Sequence, residues 1–189
     1  MGARSSPLSR AQVKEIEEEL SCRFEMRWVK TWGDLDLKTS LRKMEKTNFF
    51  TKELDEMVLS KQIDGAIHSA KDLPDPLPKG LRIAYLSKGV DERDSLVIKK
   101  EPIEVVGTSS QRREEAVKEL FSGVKFVDLR GTIEQRLQED VDALVVAEAA
   151  LIRLKLTHLK RVFLPGSTVP LQGKIAIVCR EDFVFRPAS

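Results

Sequence analysis

Three places along this 189-residue chain set an arginine beside a residue able to cap a helix, next to a short apolar, strand-like run: Arg4 with Ser6, Arg112 and Arg113 with Ser109 and Ser110, and Arg130 with Thr132. A helix N-terminus exposes backbone N–H groups and the positive end of the helix dipole, and a guanidinium adds a planar fork that matches carboxylate or phosphate. One such place is what an ordinary cap and a surface arginine look like. Three together suggest an anion held at several points. Thr132 also precedes Gln135 by three residues, a capping box that accounts for it without any ligand. A further stretch, Ile67-His68-Ser69-Ala70-Lys71-Asp72-Leu73-Pro74, sets an acid beside a base on a loop stiffened by proline. A carboxylate so placed can move protons or stabilise a cation. Taken alone, a neighbouring Lys-Asp pair is more often solvated surface, and a lone histidine more often a satisfied hydrogen-bonding residue.

The elements that must position these residues alternate between strand and helix, the pattern of an α/β fold with a largely parallel sheet. Ser6-Pro7 reads as an N-cap and first helical residue, with Val13, Ile16 and Leu20 on one face up to Ser21. Phe24, Met26 and Trp28 alternate with charged residues as a strand, and a polar stretch from Gly33 to Thr47 follows. A helical spacing over Phe50 to Gln62 leads to a strand around Ala66 and Ile67, a Pro-rich turn from Leu73 to Pro78, and strands at Leu81 to Leu86 and Ser95 to Ile98. The composition turns polar at Lys99 to Pro102, after which the pattern restarts. Strands are predicted near Val105, over Val124 to Leu129 and over Ala143 to Val146, with helices starting at Ser110, Thr132 and Glu148. Pro165 to Pro170 is another irregular connector before a last strand, Ile175 to Cys179. No internal repeat is visible in the sequence. The predicted domains are 1–100 plus 173–189 and 103–170, so that the chain crosses twice between two lobes.

Composition narrows the function. Lys+Arg 32 against Asp+Glu 30 gives only +2, against a nucleic-acid binder with a dominant basic face. Cys22 and Cys179 lack CxxC spacing, and with only His68 and His158 there is no metal-site pattern. No apolar run reaches the ~18 residues of a spanning helix, and no signal-peptide core stands at the N-terminus. The expectation is a cytoplasmic protein with reduced thiols, no membrane partner, and a monomeric state.

As a set, Gly2 to Leu8, Phe50-Thr51-Lys52-Glu53-Leu54, Ile67 to Pro74, Asp91-Glu92-Arg93-Asp94, Val106 to Arg113, Asp128-Leu129-Arg130-Gly131 and the weaker Leu171-Gln172-Gly173 to Arg180 resemble porphobilinogen deaminase, or hydroxymethylbilane synthase, in family order. The resemblance implies two periplasmic-binding-protein-like lobes with largely parallel mixed sheets around a central cleft. It implies a transferase of tetrapyrrole and haem biosynthesis that joins four porphobilinogen units into hydroxymethylbilane with release of ammonia. Asp72 matches the family's catalytic aspartate. Arg4, Ser6, Lys71, Ser110, Arg112, Arg113, Arg130 and Arg136 match positions that bind the carboxylates of substrate and of a dipyrromethane cofactor, so porphobilinogen and oligopyrrole intermediates are the implied ligands. The family carries that cofactor on a cysteine of a third domain; the sequence reading expects that domain and its cysteine to be absent from a chain stopping at Ser189, with neither Cys22 nor Cys179 as a replacement. Met1 leaves little room for a strand before Arg4, Lys46-Thr47-Asn48-Phe49 replaces a Gly-Lys-Gly-Leu stretch, and Thr132 stands where Asn is common. The alternative to an enzyme, impaired or not, is a non-catalytic two-lobe module that binds polycarboxylate pyrroles or other small anions.

Overall fold

The computed structural model of the chain describes residues 1–36 and 48–186. Most of the polar stretch after Gly33, with Lys46 and Thr47, lies outside them. The contacts divide the described residues into two units, one of 1–36, 48–90 and 174–186, the other of 91–173.

In the first unit β1 (Gly2–Arg4) forms despite the short start, because it lies between two parallel neighbours, β2 (Arg27–Val29) and β3 (Gly65–Ser69). The last strand, β10 (Ile175–Arg180), runs antiparallel between β3 and β4 (Leu81–Leu86), giving the order β2-β1-β3-β10-β4. Both faces are covered. On one, α1 (Pro7–Glu19) lays Val13 and Ile16 against Ala3, Ile67 and Ile177; on the other, α3 (Lys52–Leu59) lays Leu54 and Val58 against Ala66 and Val178. Alternate residues of β3 and β10 thus feed opposite cores. The start of α1 is as predicted, with Pro7 in its first turn and the Ser6 hydroxyl accepting from Ser9 N at 3.2 Å. The predicted strand from Phe24 is not formed until Arg27. Phe24 and Met26 instead pack, outside any strand, against the α1 core. A four-residue helix, α2 (Trp32–Leu35), opens the stretch read as loop, closed by reciprocal bonds between Thr31 and Asp34.

The second unit has the order β7-β6-β8-β5-β9: β6 (Val105–Gly107), β7 (Lys125–Val127) and β8 (Ala143–Ala147) are parallel, and β5 (Asp94–Ile98) runs antiparallel to β8 and β9 (Arg161–Phe163). The helices are α4 (Gln111–Leu120), α5 (Ile133–Gln138) and α6 (Glu148–Arg153). The sequence pattern groups β5 with the first lobe. Its pairing with β8 over Asp94–Ile98 moves it to the second unit, and the chain changes units at Val90/Asp91 rather than at Lys99 to Pro102. The polar stretch is a turn inside the unit. Asp142 draws it in, its carbonyl accepting from Lys99 N and Lys100 N and its carboxylate from Glu104 N and Val105 N. Strand β9 was not foreseen, because Arg161-Val162-Phe163 is too short to show a period. No helix among the described residues is long and apolar enough to cross a membrane.

The two sheets share one plan, a parallel trio followed by an antiparallel strand and an edge strand. In each, the antiparallel strand is the first element after the chain changes units. Ile177 is fully buried in β10, so Ile177→Ala should lower the unfolding free energy by about 2–5 kcal/mol. The half-exposed Ile83→Ala in β4 should cost under about 1 kcal/mol, as read from urea unfolding midpoints.

Candidate functional site

In the first unit the chemistry gathers where β1 and β3 end. Strand β3 runs straight into a single 3-10 turn, Ala70–Asp72, and Ala70 N donates to Lys174 O at 3.0 Å, so the return strand fixes the turn that carries Lys71 and Asp72. Arg4, Ser6, Lys71 and Asp72, four of the residues singled out in the sequence, line one pocket here. The structure adds Ser9, Gln12, Phe50, His68 and Ser69 to it. Gln12 Nε2 donates to Ser69 Oγ at 2.7 Å, tying α1 to the end of β3, and the Arg4 guanidinium stands 4.6 Å from the Phe50 ring centre. Gln12 lies one helical turn beyond Ser9; that spacing from the Ser6 cap was the available signal for it.

Arg4 is held by a protein carboxylate. Its Nε donates to Asp34 Oδ1 at 3.1 Å and Oδ2 at 3.3 Å, and its Nη2 to Oδ1. Burial alone would raise the Asp34 carboxyl; the hydrogen bond and charge of Arg4, with Thr31, hold it below the usual range. His68 is almost wholly buried and its Nε2 has no hydrogen-bond partner. Burial, then the charge of Arg4, depress its pKa to about 4, so the imidazole is neutral at ordinary pH.

In the second unit Ser110, Arg112, Arg113, Arg130 and Arg136 collect beyond the carboxyl ends of the parallel strands, where open α/β sheets place ligands. Ser109 zips two of these ends together, donating to Leu129 O at 2.6 Å and accepting from Leu129 N at 3.1 Å. Ser110 is the N-cap of α4, but its hydroxyl makes no capping bond. The Thr132–Gln135 capping box is present as predicted. Arg112 and Arg113 both reach the buried Asp94, with Arg112 Nη2 at 2.5 Å from Oδ2 and Arg113 Nη2 at 2.6 Å from Oδ1. Burial would raise the Asp94 carboxyl, but Arg113 and then Arg112 keep it low. Arg136 Nη2 donates to Val145 O at 2.8 Å, while its buried Nε and that of Arg112 have no hydrogen-bond partner. Burial and the charges of Arg113 and Arg130 bring Arg136 down to about 10. In the sequence Asp94 and Gln172 stand 78 residues apart, with no sign that they meet.

Both thiols have raised pKa values. Cys179 is fully buried in β10 and burial raises its thiol to about 11; burial and then Glu17 raise that of Cys22.

Residues 1–184 match the family described as porphobilinogen deaminase, dipyromethane cofactor binding domain. The porphobilinogen deaminase of Caldicellulosiruptor saccharolyticus is 37% identical over 98% of this chain, which spans 70% of that protein. The probable porphobilinogen deaminase of Chlamydia muridarum is 38% identical over 94% of the chain and is spanned to 79%. Among solved structures, a periplasmic substrate-binding protein of an ABC transporter from Coxiella burnetii superposes with a TM-score of 0.51 at 13% identity, over 96% of this chain and 84% of that one. This bears out the α/β, periplasmic-binding-protein-like fold expected from the sequence.

The site generates a pH dependence. Because the fold keeps His68 neutral down to about pH 4 and an unfolded imidazole protonates near 6.5, the unfolded state holds more protons between these values. Stability should therefore fall by about 3 kcal/mol as pH drops from 6.5 to 4, then level off as far as this group is concerned. A His68 Cε1 proton resonance that titrates near pH 6.5 in the folded protein would contradict it.

Proposed function

The chain belongs to the porphobilinogen deaminase family, and from that we propose that it joins porphobilinogen units head to tail into hydroxymethylbilane with loss of ammonia. The observation that carries this reading is the first-unit pocket, which sets Asp72 and Lys71 on one turn with Arg4 and Ser6. When the aminomethyl group of porphobilinogen, protonated as an ammonium, leaves as ammonia with the C–N bonding pair, the remaining methylene-pyrrole is a cation. The α-carbon of another pyrrole then forms the new C–C bond and loses its proton. The Asp72 carboxylate accepts hydrogen bonds from pyrrole N–H groups and stabilises the cation. Lys71, Arg4 and Ser6 take acetate and propionate groups of the substrate.

The second-unit arginines suit a polycarboxylate pyrrole. Arg112 Nε and Arg136 Nε are buried donors lacking hydrogen-bond partners, and a bound anion offsets both the burial and the repulsion from Arg113 and Arg130 that lower Arg136. Ser110, Arg112, Arg113, Arg130 and Arg136 would hold the carboxylates of the dipyrromethane for which the matched domain is named. When bound, that group supplies the pyrrole end onto which units are added. Cys179, fully buried in β10, is closed to such an attachment.

Asp72→Asn keeps the shape and removes the charge. With porphobilinogen as substrate, ammonia release and bilane formation should fall by about 10²-fold or more, while binding of porphobilinogen, followed by calorimetry, persists. Near-normal turnover in Asp72→Asn would sink the role given to Asp72. Binding without turnover in the unaltered protein would point to the non-catalytic module instead.

A further inference from the structure

Asp94 opens β5 with 2% of its surface exposed, and four side-chain donor contacts converge on it. Its Oδ1 accepts from Arg113 Nε at 3.1 Å, Arg113 Nη2 at 2.6 Å and Gln172 Nε2 at 3.0 Å, and its Oδ2 from Arg112 Nη2 at 2.5 Å. The same Gln172 nitrogen donates to Glu92 O at 2.6 Å, so the amide clasps the backbone just before the strand as well as the carboxylate at its head. Gln172 is held in turn. Gly173, at φ +84°, brings the chain so close that a Cβ there would stand 2.8 Å from Asp91 O, and Arg153 Nη2 donates to Gly173 O at 2.7 Å.

We propose that Asp94 and Gln172 are positioning residues, a buried carboxylate and amide that fix the angle at which Arg112 and Arg113 present their guanidinium groups to an anionic ligand. Arg113 turns its Nε and Nη2 edge to Asp94 and keeps Nη1 on the other side. Arg112 gives Nη2 to Asp94 and Nη1 to Ser167 O at 2.9 Å, and its buried Nε has no hydrogen-bond partner. One carboxylate between two guanidiniums leaves a net positive charge on this trio, and the buried Arg136 stands near enough to Arg113 to be lowered by its charge. A pair built only for stability would leave no such excess, because unbalanced buried charge is costly. The excess points to a ligand that completes the balance, and the amide ensures that this ligand meets the two arginines in one geometry.

The inference rests on the reading of these arginines as carboxylate binders, and two probes separate its failure from that of the reading. Gln172→Met removes the amide donors and Asp94→Glu lengthens the carboxylate by one methylene, both without changing the charge. Porphobilinogen and inorganic pyrophosphate are titrated into each protein by calorimetry, and the rotation of the Arg112 and Arg113 guanidinium groups is followed by 15N NMR. Slow rotation is expected in the unaltered protein and faster rotation in both variants. The probe that the unaltered protein binds should weaken about tenfold or more, with backbone amide spectra still those of the folded chain. If Asp94→Glu does not fold, Gln172→Met decides by the same readings. Affinities within twofold of the unaltered protein, unchanged guanidinium rotation, or no binding of either probe to the unaltered protein would each overturn the proposal. Binding of pyrophosphate but not porphobilinogen refutes the functional reading alone, and the positioning role is then judged on pyrophosphate.

Discussion

The pairing of β10 with β3 is the interaction on which the first unit depends. Five residue pairs, from Ile175 opposite Ser69 to Cys179 opposite Gly65, place a strand near the end of the chain beside one far earlier in it. The register decides the site, because Lys174, just before the first pair, accepts the Ala70 N–H and so sets the turn that carries Lys71 and Asp72. A one-residue slip would turn Ile177 and Val178 to the wrong cores. It would also take Lys174 O away from Ala70. The apolar burial that stabilises the sheet and the placing of the acid and base are therefore one constraint.

Each unit adds a carboxylate that grips an arginine at the ends of its parallel strands, Asp34 with Arg4 and Asp94 with Arg112 and Arg113. The two grips differ in depth. Arg4 and Asp34 keep 25% and 18% of their side chains exposed, so water screens the pair and either partner can be exchanged for a ligand group at modest cost. The Asp94 side chain is 1% exposed, and stripping such an ion of its partners costs about 3–5 kcal/mol. Arg4 is suited to releasing and regaining its contact, whereas Arg112 and Arg113 are parts of a fixed frame.

Much of this was legible in the sequence, for identifiable reasons. The α1 start, the Thr132–Gln135 box and the strand leading into Lys71 and Asp72 are set by near neighbours, and local residue types reveal them. What escaped was decided at a distance. Leu96 and Val97 look the same whichever sheet receives β5, and the polar residues 99–102 imitate a linker until Asp142 is seen to hold them. Phe24 and Met26 alternate as a strand would, yet they bury against α1 without one. Asp34, Asp94 and Gln172 meet their partners across 30, 18 or 19, and 78 residues, and no spacing rule reaches that far.

The same sheet plan in both units, absent from the sequence as a repeat, shows how little of a fold must be shared for two bodies to offer the same kind of site. Strand order and the helix-capped ends are common to them, and these already supply backbone N–H groups where parallel strands finish. The side chains laid on that plan then diverge. The first unit receives an acid, a base, an aromatic ring and a neutral buried imidazole; the second receives four arginines and one carboxylate to order two of them. Chemistry on a pyrrole needs a single negative charge beside a forming cation, while holding a polycarboxylate needs several fixed positive ones. The carboxylate of each unit follows that division: Asp72 stands on the turn of the first-unit pocket, and Asp94 uses its charge to order Arg112 and Arg113.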